Sequence, residues 1–101
     1  MSKITLDNVI KEHLKKDPEF YEYYQRELLI NEISKLVVTF RSNARLTQAD
    51  LAEKSGTTQP VIARLESGTD SRIPSLGLLA RVAHATHAKL HISFEKEARA
   101  N

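Results

Sequence analysis

Cysteine is absent from the 101-residue chain. That excludes disulfides, thiolate metal sites and cysteine nucleophiles, and makes a reducing compartment the simpler expectation. No apolar run approaches the roughly 18 residues that span a bilayer, and residues 1–16 lack a signal-peptide core, so a cytoplasmic protein without membrane contact is expected. Also missing are a glycine-rich phosphate loop, a nucleophile with an adjacent base, and metal-ligand spacing. The sequence therefore predicts no enzyme and no cofactor. Nor does one sign of charge dominate: fifteen Lys and Arg against thirteen Asp and Glu leave +2, too little to announce a nucleic-acid partner.

What is present is ordinary for a folded soluble chain, 41% hydrophobic and 28% charged. The length suggests one domain with room for an appendage. A chain this short buries only about 60–70% of its unfolded surface, so its core is small and a second copy or another partner would help it. Charge is unevenly spread. Residues 1–27 carry five basic and six acidic side chains, residues 28–88 seven and five, and residues 89–101 three and two. The middle is the basic part.

Along the chain, Thr5 or Asp7 is placed to cap a short helix with Leu6, Val9, Ile10 and Leu14 at helical spacing, ending at Lys15-Lys16. Asp17-Pro18-Glu19 signals a restart: a capping carboxylate, a proline suited to the first turn, and an acid where the helix dipole is positive. From Phe20 an apolar stripe runs through Tyr24, Leu28, Leu29, Ile33, Leu36, Val37 and Phe40. No breaker interrupts it, which predicts one long helix or two in series, stopping near Ser42-Asn43. Four of the six aromatics, Phe20, Tyr21, Tyr23 and Tyr24, open this stretch. They suit either packing between the N-terminal helices or an anchor for another protein.

Thr47 then caps a helix whose Asp50 completes a capping box, and Gly56 ends it where a left-handed residue is wanted. Thr58 is expected to cap the next helix, with Pro60 in its first turn and Val61, Ile62, Leu65 and Glu66 following before Ser67-Gly68. After a loop, Ser75 caps a last helix with Leu76, Leu79, Val82 and Ala83 on its buried side. Leu90, Ile92 and Phe94 alternate with His91, Ser93 and Glu95, a strand period. With no second strand elsewhere, its expected partner is its own copy in a homodimer.

Two short helices joined by a tight glycine-bearing turn form a helix-turn-helix, whose second helix enters the major groove by its N-terminal residues. Gln59 can pair bidentately with adenine, and Val61 or Thr57 can touch a thymine methyl. Gln48 and Thr58, at helix N-termini, suit phosphate oxygens. Arg64, one turn past Val61, reaches a phosphate or a guanine edge. Arg72, in the following loop, is a further candidate for the backbone. Leu51, Ala52, Ile62 and Leu65 are expected in the core. His84, His87 and His91 raise a metal reading, which the lack of nearby carboxylates or cysteines disfavours.

Leu46-Thr47-Gln48-Ala49-Asp50-Leu51-Ala52-Glu53-Lys54-Ser55-Gly56, followed by Gln59, Ile62, Arg64-Leu65-Glu66 and Gly68, resembles the repressor-type helix-turn-helix family that includes phage lambda repressor and Cro. In that family an arginine near the end of the preceding helix pairs with the glutamate after the recognition helix, and Arg41 and Glu66 stand at those positions. The sequence departs from the family at Arg45, where glycine is usual, and at Pro60, where a small polar residue is usual. The resemblance therefore implies either a different turn or a non-glycine residue at positive φ at Arg45. It leaves direct readout to Gln59, Val61 and Arg64, with DNA shape supplying the rest.

Asp17, Pro18, Glu19, Phe20 and Tyr24, together with Ala88-Lys89-Leu90-His91-Ile92, further resemble the HigA group of antitoxins. This implies an all-α fold: a five-helix repressor-type domain at residues 31–88, a toxin-binding helical extension at 1–30, and a dimerisation strand and tail at 89–101. The partners implied are operator DNA, a second copy of the chain through Leu90, Ile92 and Phe94, and a HigB-like mRNA-endonuclease toxin. Ile10, Leu14, Phe20, Tyr21 and Tyr24 would meet that toxin. The competing expectation is a plain phage-type repressor without a toxin.

Overall fold

The computed structural model describes Val9, Lys11, Glu12 and residues 16–70 and 72–96. Among these residues there are four α-helices and no strand: α1 (Pro18–Asn43), α2 (Gln48–Ser55), α3 (Gln59–Ser67) and α4 (Leu76–Ala85). Five helices were expected; four lie wholly within the described residues. The stretch from Phe20 to Phe40 holds neither glycine nor proline and lies within a single 26-residue helix. Val9, Lys11, Glu12 and Lys16 are helical, but Ile10, Leu14 and most of the first expected helix lie outside the described residues.

The helix ends follow local chemistry. Asp17 Oδ1 accepts from the backbone N–H groups of Glu19 and Phe20 at 3.0 and 3.2 Å, with Pro18 in the first turn. Asp50 N–H donates to Thr47 Oγ1, and Thr47 N–H to Asp50 Oδ2, both at 3.0 Å, closing the capping box at the start of α2. Ser75 Oγ accepts from Leu78 N–H at 3.1 Å. Gly56 ends α2 at φ 68°, and Arg45, before α2, has φ 59°, so the turn there does hold a non-glycine residue in the left-handed region. Thr58 occupies the expected cap position of α3 but makes no side-chain cap hydrogen bond.

The core is small. Ile33, Val37, Leu51, Ala52, Ile62 and Val82 are buried together, with Leu46, Leu65, Leu78, Leu79 and Ala85 packed around them. Leu51 and Ile62 are fully buried, each contributing about 1.5–3 kcal/mol. Helix α2 lies against α3 and α4, and α1 crosses α3 and, less extensively, α4. At the α1–α3 crossing Ser34 Oγ donates to the Glu66 carbonyl. A Cβ on Gly68, itself at φ 67°, would stand 3.2 Å from Asn31 Oδ1. Arg81 Nε donates to the Ser55 carbonyl at 2.8 Å, fastening α4 to the end of α2.

Three expectations are corrected. The stripe on α1 is only partly used: Ile33 and Val37 are buried, as is Ile30 outside the stripe, while Leu28, Leu29, Leu36 and Phe40 are 40–51% exposed. The α2–α4 body covers one side of α1, so a stripe wider than that side stays outside. Leu76, expected inside, is 60% exposed because it is the first residue of α4, beyond the edge of the core. Residues 88–96 form no ladder. A strand is defined by pairing, and this single chain offers Leu90, Ile92 and Phe94 no second strand among the described residues.

Candidate nucleic-acid interface

The helix-turn-helix consists of α2, the three residues Gly56, Thr57 and Thr58, and α3. Thr57 N–H donates back to the Ala52 carbonyl at 2.9 Å, which closes the turn tightly. Thr58, Gln59 and Pro60 are consequently exposed at the tip of α3, with Thr57 half-buried behind them. Without a hydroxyl cap, the N-terminal end of α3 is open toward solvent, and its dipole favours an anion there.

A chain of side-chain hydrogen bonds runs into this tip from the core. Arg41 Nε and Nη2 donate to Glu66 Oε2 and Oε1 at 2.6 and 3.0 Å, the two-pronged geometry in which guanidinium and carboxylate fit best. Gln48 Nε2 donates to Glu66 Oε1 at 3.1 Å, and Gln59 Nε2 donates to Gln48 Oε1 at 2.9 Å. The arginine and glutamate behave as the family resemblance implied. The Gln48–Gln59 link was not foreseen from the sequence. Its signal was available as one glutamine at the first position of each helix of the motif. Burial alone would raise the Glu66 carboxyl, but hydrogen bonds from Arg41 and Gln48, together with the arginine charge, outweigh it and hold the pKa below the ordinary value. Glu66 is therefore anionic at neutral pH, and its anchoring role persists.

The other expected contact residues divide into two groups. Arg64 is exposed and Val61 half-buried, and both line a cleft of about 240 Å³ with Ile30, Leu65, Asp70 and Arg72. Arg72 folds back on Asp70, donating from Nε and Nη2 to its two carboxylate oxygens at 3.2 Å each. Those bonds lower the Asp70 pKa. The pair is solvent-facing, with the arginine side chain 76% exposed, so an approaching phosphate can compete for it. The structure thus gathers Gln48, Thr58 and Gln59 at one tip and sets Val61, Arg64 and Arg72 along the adjoining cleft.

Elsewhere, Phe20 and Tyr24, one turn apart near the start of α1, stack with ring centroids 6.4 Å apart. Tyr21, on the same first turns, is half-buried. Among the described residues no group of three His, Cys, Asp or Glu side chains is placed to hold a metal ion. None of the described helices is long and apolar enough to cross a membrane.

The comparisons with known proteins agree with the motif. A family model described as helix-turn-helix matches residues 40–91. That span begins at the last turn of α1 and takes in both helices of the motif, α4 and the start of the C-terminal segment. No curated protein and no solved structure gives a match.

Proposed function

The chain belongs to the helix-turn-helix family, and on that premise we propose that it is a homodimeric operator-binding repressor that also serves as the antitoxin of a toxin–antitoxin pair. The observation that carries the DNA part is the hydrogen-bonded chain Arg41–Glu66–Gln48–Gln59 ending at the exposed tip of α3. A glutamine amide held by a neighbour has a fixed orientation, which suits bidentate recognition of an adenine edge. Thr58, Gln48 and the open helix end would take phosphate oxygens, with Arg64 and Arg72 along the flank. Val61 and Thr57 would meet a thymine methyl. In a dimer the two α3 helices would address half-sites about one helical turn apart, roughly 34 Å. The protein binds in this reading and catalyses nothing.

The antitoxin part rests on the resemblance to the HigA group and on the aromatic start of α1. Phe20, Tyr21 and Tyr24, with Ile10 and Leu14 before them, would bind a basic HigB-like endonuclease. The acidic excess of residues 1–27 has the matching sign. One observation favours the plainer reading of a phage-type repressor without a toxin. Helix α1 runs unbroken through residue 30, so the aromatic turns belong to the same rigid element as the DNA-binding body.

Capture of the tagged chain from its host, combined with a gel shift on its upstream DNA, separates these readings. A small basic protein retained by the wild type and lost in a Phe20→Ala/Tyr24→Ala variant supports the antitoxin. A shift without such a partner leaves a repressor. Absence of any shift, with Gln59→Ala indistinguishable from wild type, would refute DNA reading by α3. Affinity should also fall steeply with salt as phosphate contacts release counterions.

A further inference from the structure

Asp70 shares the cleft beside α3 with Arg64 and Arg72. Its Oδ1 accepts from the Arg72 backbone N–H at 3.0 Å and from Arg72 Nε at 3.2 Å, and its Oδ2 accepts from Nη2 at 3.2 Å. Those bonds, joined by the charge of Arg64, hold the carboxyl below its ordinary range, so Asp70 is anionic at neutral pH. The segment leading to it is fastened to the end of α3. Ser67 Oγ donates to the Arg64 carbonyl at 2.9 Å and meets Thr69 Oγ1 at 2.8 Å, while Gly68 turns the chain at φ 67°. A guanidinium has two edges that can grip an oxyanion, Nε with Nη2 and Nη1 with Nη2. Asp70 occupies the first. Arg72 Nη1 makes no hydrogen bond among the described residues, and the arginine side chain is 76% exposed.

We propose that Asp70 is a specificity-determining residue of the DNA surface: its pairing with Arg72 cancels that arginine's charge toward any duplex, while leaving the outer edge for a phosphate held in one place. Non-specific binding is driven by cations facing phosphates, with little demand on direction, and it weakens with salt. A neutral ion pair contributes little to that attraction. A hydrogen bond from Nη1 is different, because it acts only at about 3 Å and along a narrow range of angles. It forms when a phosphate is brought to a fixed position, which happens once α3 is seated in its groove. Arg72 therefore counts in the operator complex and scarcely in a sliding one. Specificity is a difference between two affinities, so weakening the wrong complex raises it as surely as strengthening the right one.

This inference rests on α3 as a DNA reader, and its test separates the two. The full-length chain is used with a duplex that it enriches from a randomised pool and with a scrambled duplex of the same length and composition. Fluorescence anisotropy over a series of salt concentrations gives an affinity and a salt slope for each. Asp70→Asn keeps the shape and one acceptor but removes the charge. It should tighten the scrambled complex about 2–5-fold, the scale of an exposed ion pair. The salt slope of that complex should steepen by about 0.9, as for one further phosphate neutralised. The enriched duplex should gain less, so the ratio of the two affinities falls. Glu22→Gln adds the same net charge at an exposed position eight residues before the cleft-lining Ile30. That is roughly 12 Å along α1, beyond the screening length of about 10 Å at 0.1 M salt, and both affinities should stay near wild type. A ratio that stays the same or rises in Asp70→Asn, or a fall that Glu22→Gln reproduces, overturns the role of Asp70 and leaves the DNA reading standing. A wild type that enriches no duplex, or binds the scrambled one equally well, removes the DNA reading and this inference with it.

Discussion

Arg41 and Glu66, 25 residues apart in sequence, meet edge to edge, and the same guanidinium donates through Nη1 to the Leu46 carbonyl at 2.8 Å. One side chain thereby ties the end of α1 to the end of α3 and to the residue that follows left-handed Arg45. The carboxylate is 7% exposed and the guanidinium 19%, so the pair is shielded from screening by salt. The Glu66 hydrogen bond raises the Arg41 pKa, outweighing the opposing effect of burial.

Arg41→Leu should strand the Glu66 charge and cost about 3 kcal/mol in urea unfolding at pH 7. The pH dependence has a definite sign. The folded Glu66 pKa lies below its ordinary 4.5, so its stabilisation is complete above that value and is lost as pH falls through the folded pKa. Asp50 and Asp70 are lowered as well and contribute to the same acid decline. The diagnostic quantity is therefore wild type minus Glu66→Gln, which should shrink as pH is lowered below 4.5. A difference independent of pH would remove Glu66 from the account.

Arg45 at φ 59° bears a left-handed cost of roughly 1–2 kcal/mol. Glycine relieves it and returns part as unfolded-state entropy, so Arg45→Gly should raise stability by about 0.5–1 kcal/mol. Arg45→Val, β-branched, should lower it. Thermal melts in which both variants shift the same way would contradict the conformational argument.

Ser55 is 1% exposed, and its hydroxyl has no hydrogen-bond partner among the described residues. A buried hydroxyl left unpaired carries a desolvation cost that alanine avoids, and alanine is also the better helix former. Ser55→Ala should stabilise the fold by about 1 kcal/mol while preserving the bond from Arg81 to the Ser55 backbone carbonyl. A destabilised variant would mean that the hydroxyl is satisfied in solution.

Gln48 and Gln59 should act as a unit on DNA. Gln59→Ala is expected to cost about 1–3 kcal/mol of operator affinity at one base step. Gln48→Ala should cost less, and the double variant less than the sum of the two, because part of the Gln48 effect passes through Gln59 and the rest through its own phosphate contact. Strictly additive losses in a titrated gel shift would make Gln48 an independent contact.

Much of the local structure was legible in the residues. Asp17-Pro18, Thr47 with Asp50, Gly56 and Ser75 mark helix ends because each satisfies or terminates backbone groups within four residues of itself. The extent of α1 followed from the absence of a breaker, although the same absence left one helix and two in series equally open. Which of its apolar residues would be buried could not be read, since Leu28, Leu29, Leu36 and Phe40 satisfy the helical period as well as Ile33 and Val37. Thr58 occupied the right position without forming its cap, because a hydroxyl's bond depends on its rotamer as well as on its place in the chain.

Local pattern was enough to place the caps at Asp17, Thr47 and Ser75, the tight turn of the helix-turn-helix and the residues at its tip, because these are set by interactions spanning a turn or two. It took the packing of the helices to hang Gln59 on Gln48, and Gln48 on a glutamate held by Arg41. The same packing leaves an apolar groove open between α1 and α4, beside a tail with exposed Ile92 and Phe94. Those relationships depend on how α1, α3 and α4 cross, and crossing is fixed by the joint packing of Leu51, Ile62 and Val82, which no local pattern contains.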